Sequence, residues 1–227
     1  MTVSRIMAVL DPTQQDQPAI KRAIQSAHMT GAVLLIYCCL EEVHELETIA
    51  ETRRQVAALA ASAAEAGIDV REEVEHSEQW QQQLARAAAR HSIDLIFKGT
   101  FEHRDVDRDR RDTSDWTLLR LAPCPVILVK DHRDWSNRRV LAAVKHETTD
   151  EEHLRLNHRI TRCAQEFADA YGSDVHFVTA FRDRNRPPDA YVLSSALGAP
   201  LEHIHVGEGP ADQVISETAE QIAADLV

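Results

Sequence analysis

The chain has 227 residues, 44% of them apolar, and a formal net charge of −12. That apolar share suffices for packed cores and excludes wholesale disorder. The acidic balance disfavours sequence-independent nucleic-acid binding, which needs clustered Lys and Arg, and disfavours docking on anionic membranes.

Residues 6–10 form a short apolar run that predicts a strand buried on both faces, stopped by a turn at Asp11-Pro12. A helix follows from about residue 16, with Pro18 in its first turn and Gly31 at its end. Residues 33–40 predict the second strand. A long helix is expected over roughly 43–66, closed by Gly67. Residues 68–74 alternate polar and apolar, as an edge strand does. Helix is expected over 79–90, with Trp80, Leu84, Ala87 and Ala88 inward, then strand over 93–98. Residues 101–112 are nearly all charged and predict a solvated loop. Thr113 or Ser114 then caps a short helix over 115–121. Pro123-Cys124-Pro125 forces an extended path into a strand at 126–129.

A second, similar series follows. Residues 139–145 (RVLAAVK) mirror residues 5–11 (RIMAVLD), 134 positions on. A helical stripe runs from Leu156 to Tyr171 and Gly172 stops it. Strand is expected at 174–181. A basic, Pro-rich stretch at 182–188 leaves only 190–197 for a second helix, either shortened or rebuilt as a loop. Residues 203–206, 210–223 and 225–227 predict a third strand, a third helix and the start of a fourth strand. Alternating strands and helices mean a parallel sheet with helices on both faces. The expected division is a first domain at 1–131, a linker at 132–138 and a second domain at 139–227. The second copy stops inside its fourth strand. The missing elements would supply on the order of 10 kcal/mol of burial, comparable to a whole domain's stability. The second copy is therefore expected not to hold this fold alone, and the chain reads as part of a longer protein.

Three stretches of the first copy carry a resemblance: MAVLDP at 7–12, DLIFKGT at 94–100 and DWTLLRLAPCPVILVK at 115–130. The second copy adds VLAAV, SDVHFV and EGPADQVISETAEQIAADLV in the same order. The chain resembles a tandem universal stress protein of the two-domain E-type branch. That resemblance implies two α/β domains of Rossmann-like (adenine nucleotide alpha hydrolase-like) fold. Each has a five-stranded parallel sheet of order 3-2-1-4-5, the second incomplete. A ligand would sit where the strand order reverses, at the C-terminal ends of strands one and four.

ATP-binding members of that family carry an acidic residue after strand one and a glycine loop, G-x2-G-x9-G-[ST], after strand four. Glycines let backbone amides close around phosphates. Asp11 matches the acidic position, and Gly99 and Thr100 open the loop region. These three residues are the candidate ligand site. Nothing after Gly99 matches: no glycine occurs between Gly99 and Gly172, and residues 101–112 hold five acidic residues and four Arg. Asp11 also has a plain structural role, as a turn residue before a helix. In the second copy Lys145 stands where Asp11 stands in the first. The resemblance therefore implies a first domain without a competent ATP loop. No cofactor is expected, with ATP the alternative ligand.

Cys38, Cys39, Cys124 and Cys163 lack metal or redox spacing and read as buried or semi-buried thiols of a reducing cytoplasm. The first ten residues show no signal peptide. The longest apolar run, 32–40, is too short to span a bilayer. Among twelve histidines, His76 and His103 are expected near one rim. His203 and His205 share a strand face but lack a third ligand, so no metal is assigned. Glu41, Glu42, Glu45 and Glu47 with His44 read as helix capping, and Ser194-Ser195 as non-catalytic. The expected function is a cytoplasmic, non-enzymatic stress-response module acting on an unknown protein partner. It is expected to self-associate, as a dimer, through the open edge of the 126–129 strand. An ATP-binding stress protein with slow hydrolysis and a carrier of a small apolar ligand are the alternatives.

Overall fold

The structure, a computed structural model, describes residues 3–40, 46–100, 108–132, 135, 137–146 and 150–227. It divides into two compact units, Thr2–His132 and Arg133–Val227.

The first unit runs β1 (Arg5–Val9), α1 (Pro18–Thr30), β2 (Val33–Leu40), α2 (Leu46–Glu65), β3 (Val70–His76), α3 (Trp80–Arg90), β4 (Leu95–Gly99), α4 (Arg108–Leu121) and β5 (Val126–Val129). The five strands form a parallel sheet in the order β3-β2-β1-β4-β5. The expected order is thus the observed one. β1, β2 and β4 are almost wholly apolar because helices cover both faces. On one face Met7, Val9, Leu35, Tyr37 and Ile96 pack against Leu84, Ala87 and Ala88 of α3 and Leu118 of α4. Alternation sends Ile6, Ala8, Leu34 and Ile36 to the other face, where α1 packs on β1 and β4 and α2 on β2 and β3. α1 begins with Pro18 in its first turn and stops at Gly31, whose φ of 69° is left-handed, a conformation open to glycine at little cost.

One expectation fails here. The charged run at 101–112 does not remain loop throughout: α4 starts at Arg108, seven residues before the expected Asp115. Thr113 and Ser114 are therefore inside the helix and do not cap it. Arg tolerates helix well, and a run of Arg and Asp can be helical without an apolar stripe to announce it. Residues 101–107 lie outside the described residues. β3 is an edge strand as expected, but shifted two residues towards the C-terminus.

The second unit runs β6 (Arg139–Ala143), α5 (Glu151–Tyr171), β7 (Asp174–Phe181), α6 (Ala190–Leu197), a 3-10 turn (Leu201–His203), β8 (Ile204–Glu208) and α7 (Ala211–Gln221). Its strands form a parallel sheet in the order β6-β7-β8. Leu226 bridges Val140 in parallel, with the Leu141 amide donating to the Leu226 carbonyl at 2.8 Å. The expected fourth strand is thus present as a single bridge beside β6. α6 is a real eight-residue helix, capped by Asp189, whose Oδ1 accepts from the amides of Tyr191 at 2.8 Å and Val192 at 3.3 Å. Leu141, Val178, Val214 and Ile222 make the core between the sheet and α7. Phe167, Tyr171 and Trp135 form an aromatic trio, with ring centroids 4.2–5.6 Å apart.

Candidate functional site

β1 and β4 are paired neighbours, with Val9 opposite Lys98. The chain continues from them to Asp11 and to Gly99 and Thr100. The three candidate residues therefore sit at the C-terminal ends of adjacent strands, where the sheet order reverses.

Several of the polar groups there are already engaged. Asp11 Oδ1 accepts from the Thr13 amide at 2.9 Å and from Thr13 Oγ1 at 2.6 Å. This is an Asx turn, in which a short carboxylate mimics a backbone turn. Gln17 locks it further: Nε2 donates to the Asp11 carbonyl at 2.6 Å, and Oε1 accepts from the Asp11 amide at 3.3 Å. The Gln14 amide closes the turn onto the Asp11 carbonyl at 3.1 Å. At the end of β4 the Thr100 amide donates to the Val129 carbonyl at 2.9 Å. The Gly99 carbonyl accepts from Lys98 Nζ at 3.0 Å. The same ammonium lies 2.8 Å from Asp115 Oδ1 of α4 and 5.5 Å from the centre of the Trp80 ring. Lys98 thus ties β4 to the helices above it.

A second polar network, missed in the sequence, lies on the α3 face. The buried Tyr37 hydroxyl donates to Glu75 Oε2 at 2.7 Å. Arg90 Nη2 reaches Glu73 at 2.5 Å and Glu75 at 3.0 Å, and His91 Nε2 lies 2.6 Å from Glu73. Burial pushes the Glu75 carboxyl up, but hydrogen bonds from Tyr37 and Gln83 and the Arg90 charge hold it below its ordinary value. Burial, then the hydrogen bond to Glu75, raises the Tyr37 phenol. The signal was the alternation of Glu73 and Glu75 along an edge strand. Inward charges of this kind blunt an edge against wrong pairing.

In the second unit Lys145 takes the place of Asp11. Its backbone is clasped by Asn157, at 3.0 Å to its amide and 2.6 Å from its carbonyl. Its Nζ lies 3.5 Å from His153 Nε2. Asp150 caps α5 through the Glu152 amide at 3.1 Å and contacts His153. His76 ends β3; His103, and the acidic group at 41–45 with its His44, lie outside the described residues. Ser194 Oγ donates to the Ala199 carbonyl at 2.7 Å, a structural bond at the end of α6. Among the described residues no three His, Cys, Asp or Glu side chains are arranged to hold a metal ion. No described helix is long and apolar enough to cross a membrane.

Residues 2–130 match the universal stress protein family. Universal stress protein E of Photorhabdus laumondii is 30% identical over 193 residues, covering 78% of this chain. The chain spans 62% of that relative's length. Universal stress protein E of Escherichia coli is 23% identical over 260 residues, covering 98% of this chain and 82% of its own. Among solved structures, a functionally unknown protein from Pseudomonas aeruginosa PAO1 superposes with a TM-score of 0.76 at 26% identity. That match covers 98% of this chain and 79% of the other.

Proposed function

The chain belongs to the universal stress protein family, and from that premise we propose that it is a non-enzymatic stress-response module. It works by binding a protein partner and not by turning over ATP. The observation that carries this reading is the state of Asp11. Its Oδ1 takes two hydrogen bonds from Thr13, so the carboxylate is oriented by the chain's own turn, and a nucleotide meets it through Oδ2 or displaces Thr13. The Thr100 amide is spent on Val129, and the 101–112 sequence supplies no glycine from which bare backbone amides can be turned towards phosphate. The reading includes no cofactor, a cytoplasmic setting and self-association through β5, which among the described residues pairs with β4 alone.

A second reading, an ATP-binding protein with slow hydrolysis, is favoured by the adjacency of Asp11 with Gly99 and Thr100 across the β1–β4 pair. A thermal-shift titration with ATP and magnesium separates the two, because a specific ligand raises the melting temperature by mass action. The proposal expects a shift under about one degree at millimolar ATP. A larger shift that Asp11→Ala abolishes selects the second reading.

A further inference from the structure

Three imidazoles meet on one face of the second unit. In the β7–β8 ladder Phe177 stands opposite Ile204 and Val178 opposite His205. His176 and Val178 share a face of β7, so this register places His205 beside His176, and the 3-10 turn that leads into β8 brings His203 to the same place. The His176 and His203 rings stack with centroids 4.1 Å apart, and His176 and His205 are 5.3 Å apart. His176 Nδ1 and His205 Nε2 are 3.1 Å apart, and His203 Nδ1 is 3.1 Å from the Val175 carbonyl.

The 3.1 Å contact needs one ring to donate a proton and the other to accept it. When both rings are doubly protonated, two N–H groups oppose each other and two like charges share a half-buried site. The surroundings do little to compensate. β6 contributes Arg139, which repels a proton on His176, and β7 contributes Asp174, which attracts it. Arg139 is itself held, its Nη1 donating to the Ile222 carbonyl at 2.6 Å and its amide to Asp225 Oδ2 at 3.3 Å. α7 brings Val214, Ile215 and Ala219, and the residue after it Ile222, to the core of this face, all apolar.

We propose that His176, His203 and His205 form an acid-sensitive latch whose protonation separates the rings and frees β8, with the α6 helix packed on it, from β7. Burial, then His203 and His205, hold the His176 ring down at about 4 against an ordinary 6.5, and burial lowers His205 too. A base held below its ordinary value favours the neutral fold. The stabilisation is complete above about pH 6.5 and is lost as pH falls towards 4. For His176 alone the full depression corresponds to about a 30-fold change in the opening equilibrium between pH 7.5 and 5.0. Solvent screening reduces it to about ten-fold.

Hydrogen exchange of the full chain at pH 7.5 and 5.0, corrected for intrinsic rates, tests the latch. Peptides covering β7 and β8 are expected to open about ten-fold more at pH 5.0, with smaller changes in β1, β2 and β4. A His176→Gln/His205→Gln variant is expected to lose that pH dependence. Unchanged exchange in β7 and β8, or an equal response in the variant, overturns the proposal. So does protection of β8 by micromolar zinc at pH 7.5, which would make the cluster a metal site. Should the variant not fold, NMR titration of the unmodified chain decides: a His176 ring still neutral at pH 5.5 supports the latch, and one titrating at its ordinary value refutes it.

Discussion

Removing the Glu75 carboxylate tests whether the Tyr37 network holds the edge of the first sheet. Tyr37 is fully buried, and its hydroxyl reaches Glu75 at 2.7 Å. Glu75→Ala leaves that hydroxyl without this acceptor, at a cost of about 1–3 kcal/mol. Arg90 keeps Glu73 at 2.5 Å, so its loss adds little. Tyr37→Phe removes donor and demand together; Glu75 keeps Arg90 and, with its side chain 21% exposed, water. That variant is expected to cost about 1 kcal/mol. The double variant should cost about as much as Glu75→Ala alone, a coupling of about 1 kcal/mol. Because two units need not unfold together, the assay is urea-dependent hydrogen exchange read at β2 and β3. The depressed Glu75 carboxyl adds a pH signature. Its stabilisation is present above the ordinary carboxylate value of 4.5 and is lost as pH falls through its lower folded value. Glu75→Gln should lack that acid loss. Fully additive costs, or Glu75→Ala cheaper than Tyr37→Phe, refute the reasoning.

Gly207→Ala would place a Cβ 2.4 Å from Val214 Cγ1. Overpacking of this kind costs about 1–3 kcal/mol, and exchange in β8 and α7 should rise while β1–β4 stay protected. Leu118 is the fully buried foot of α4; Leu118→Ala should cost about 2–5 kcal/mol, read from the urea midpoint of the first unit. Burial pushes the Cys38 and Cys124 thiols up to about 12; burial also raises the Cys163 thiol, but Cys163 is exposed to reagent where Cys38 is buried and Cys124 half-buried. A thiol reagent at pH 8, mapped by mass spectrometry, should mark Cys163 first. Equal labelling of Cys38 or Cys124 in the folded chain contradicts this.

Much of the fold was legible because apolar runs and glycines punctuate it locally. β2, β5, β7 and α6 fall on the expected residues, since each is bounded by Gly, Pro or a charged turn. The start of α4 was not legible: a run of Arg and Asp carries no apolar stripe to reveal helical period. At the candidate site, Asp11 as a turn residue could be read from Asp-Pro-Thr alone. The role of Lys98 could not, because Asp115 and Trp80 reach it from separate helices. His176 was hidden for the same reason. It lies between apolar neighbours in a strand, and only the β7–β8 register brings it to His203 and His205. Tyr37 meets Glu75 only after the β2–β3 pairing is fixed.

The chain's use of its strand-end groups for its own turn and sheet is tested most directly by isothermal titration calorimetry of the full chain with magnesium ATP. No saturable heat is expected at millimolar nucleotide, in the unmodified chain and in Asp11→Ala alike. Saturable one-site binding that disappears in Asp11→Ala would contradict it.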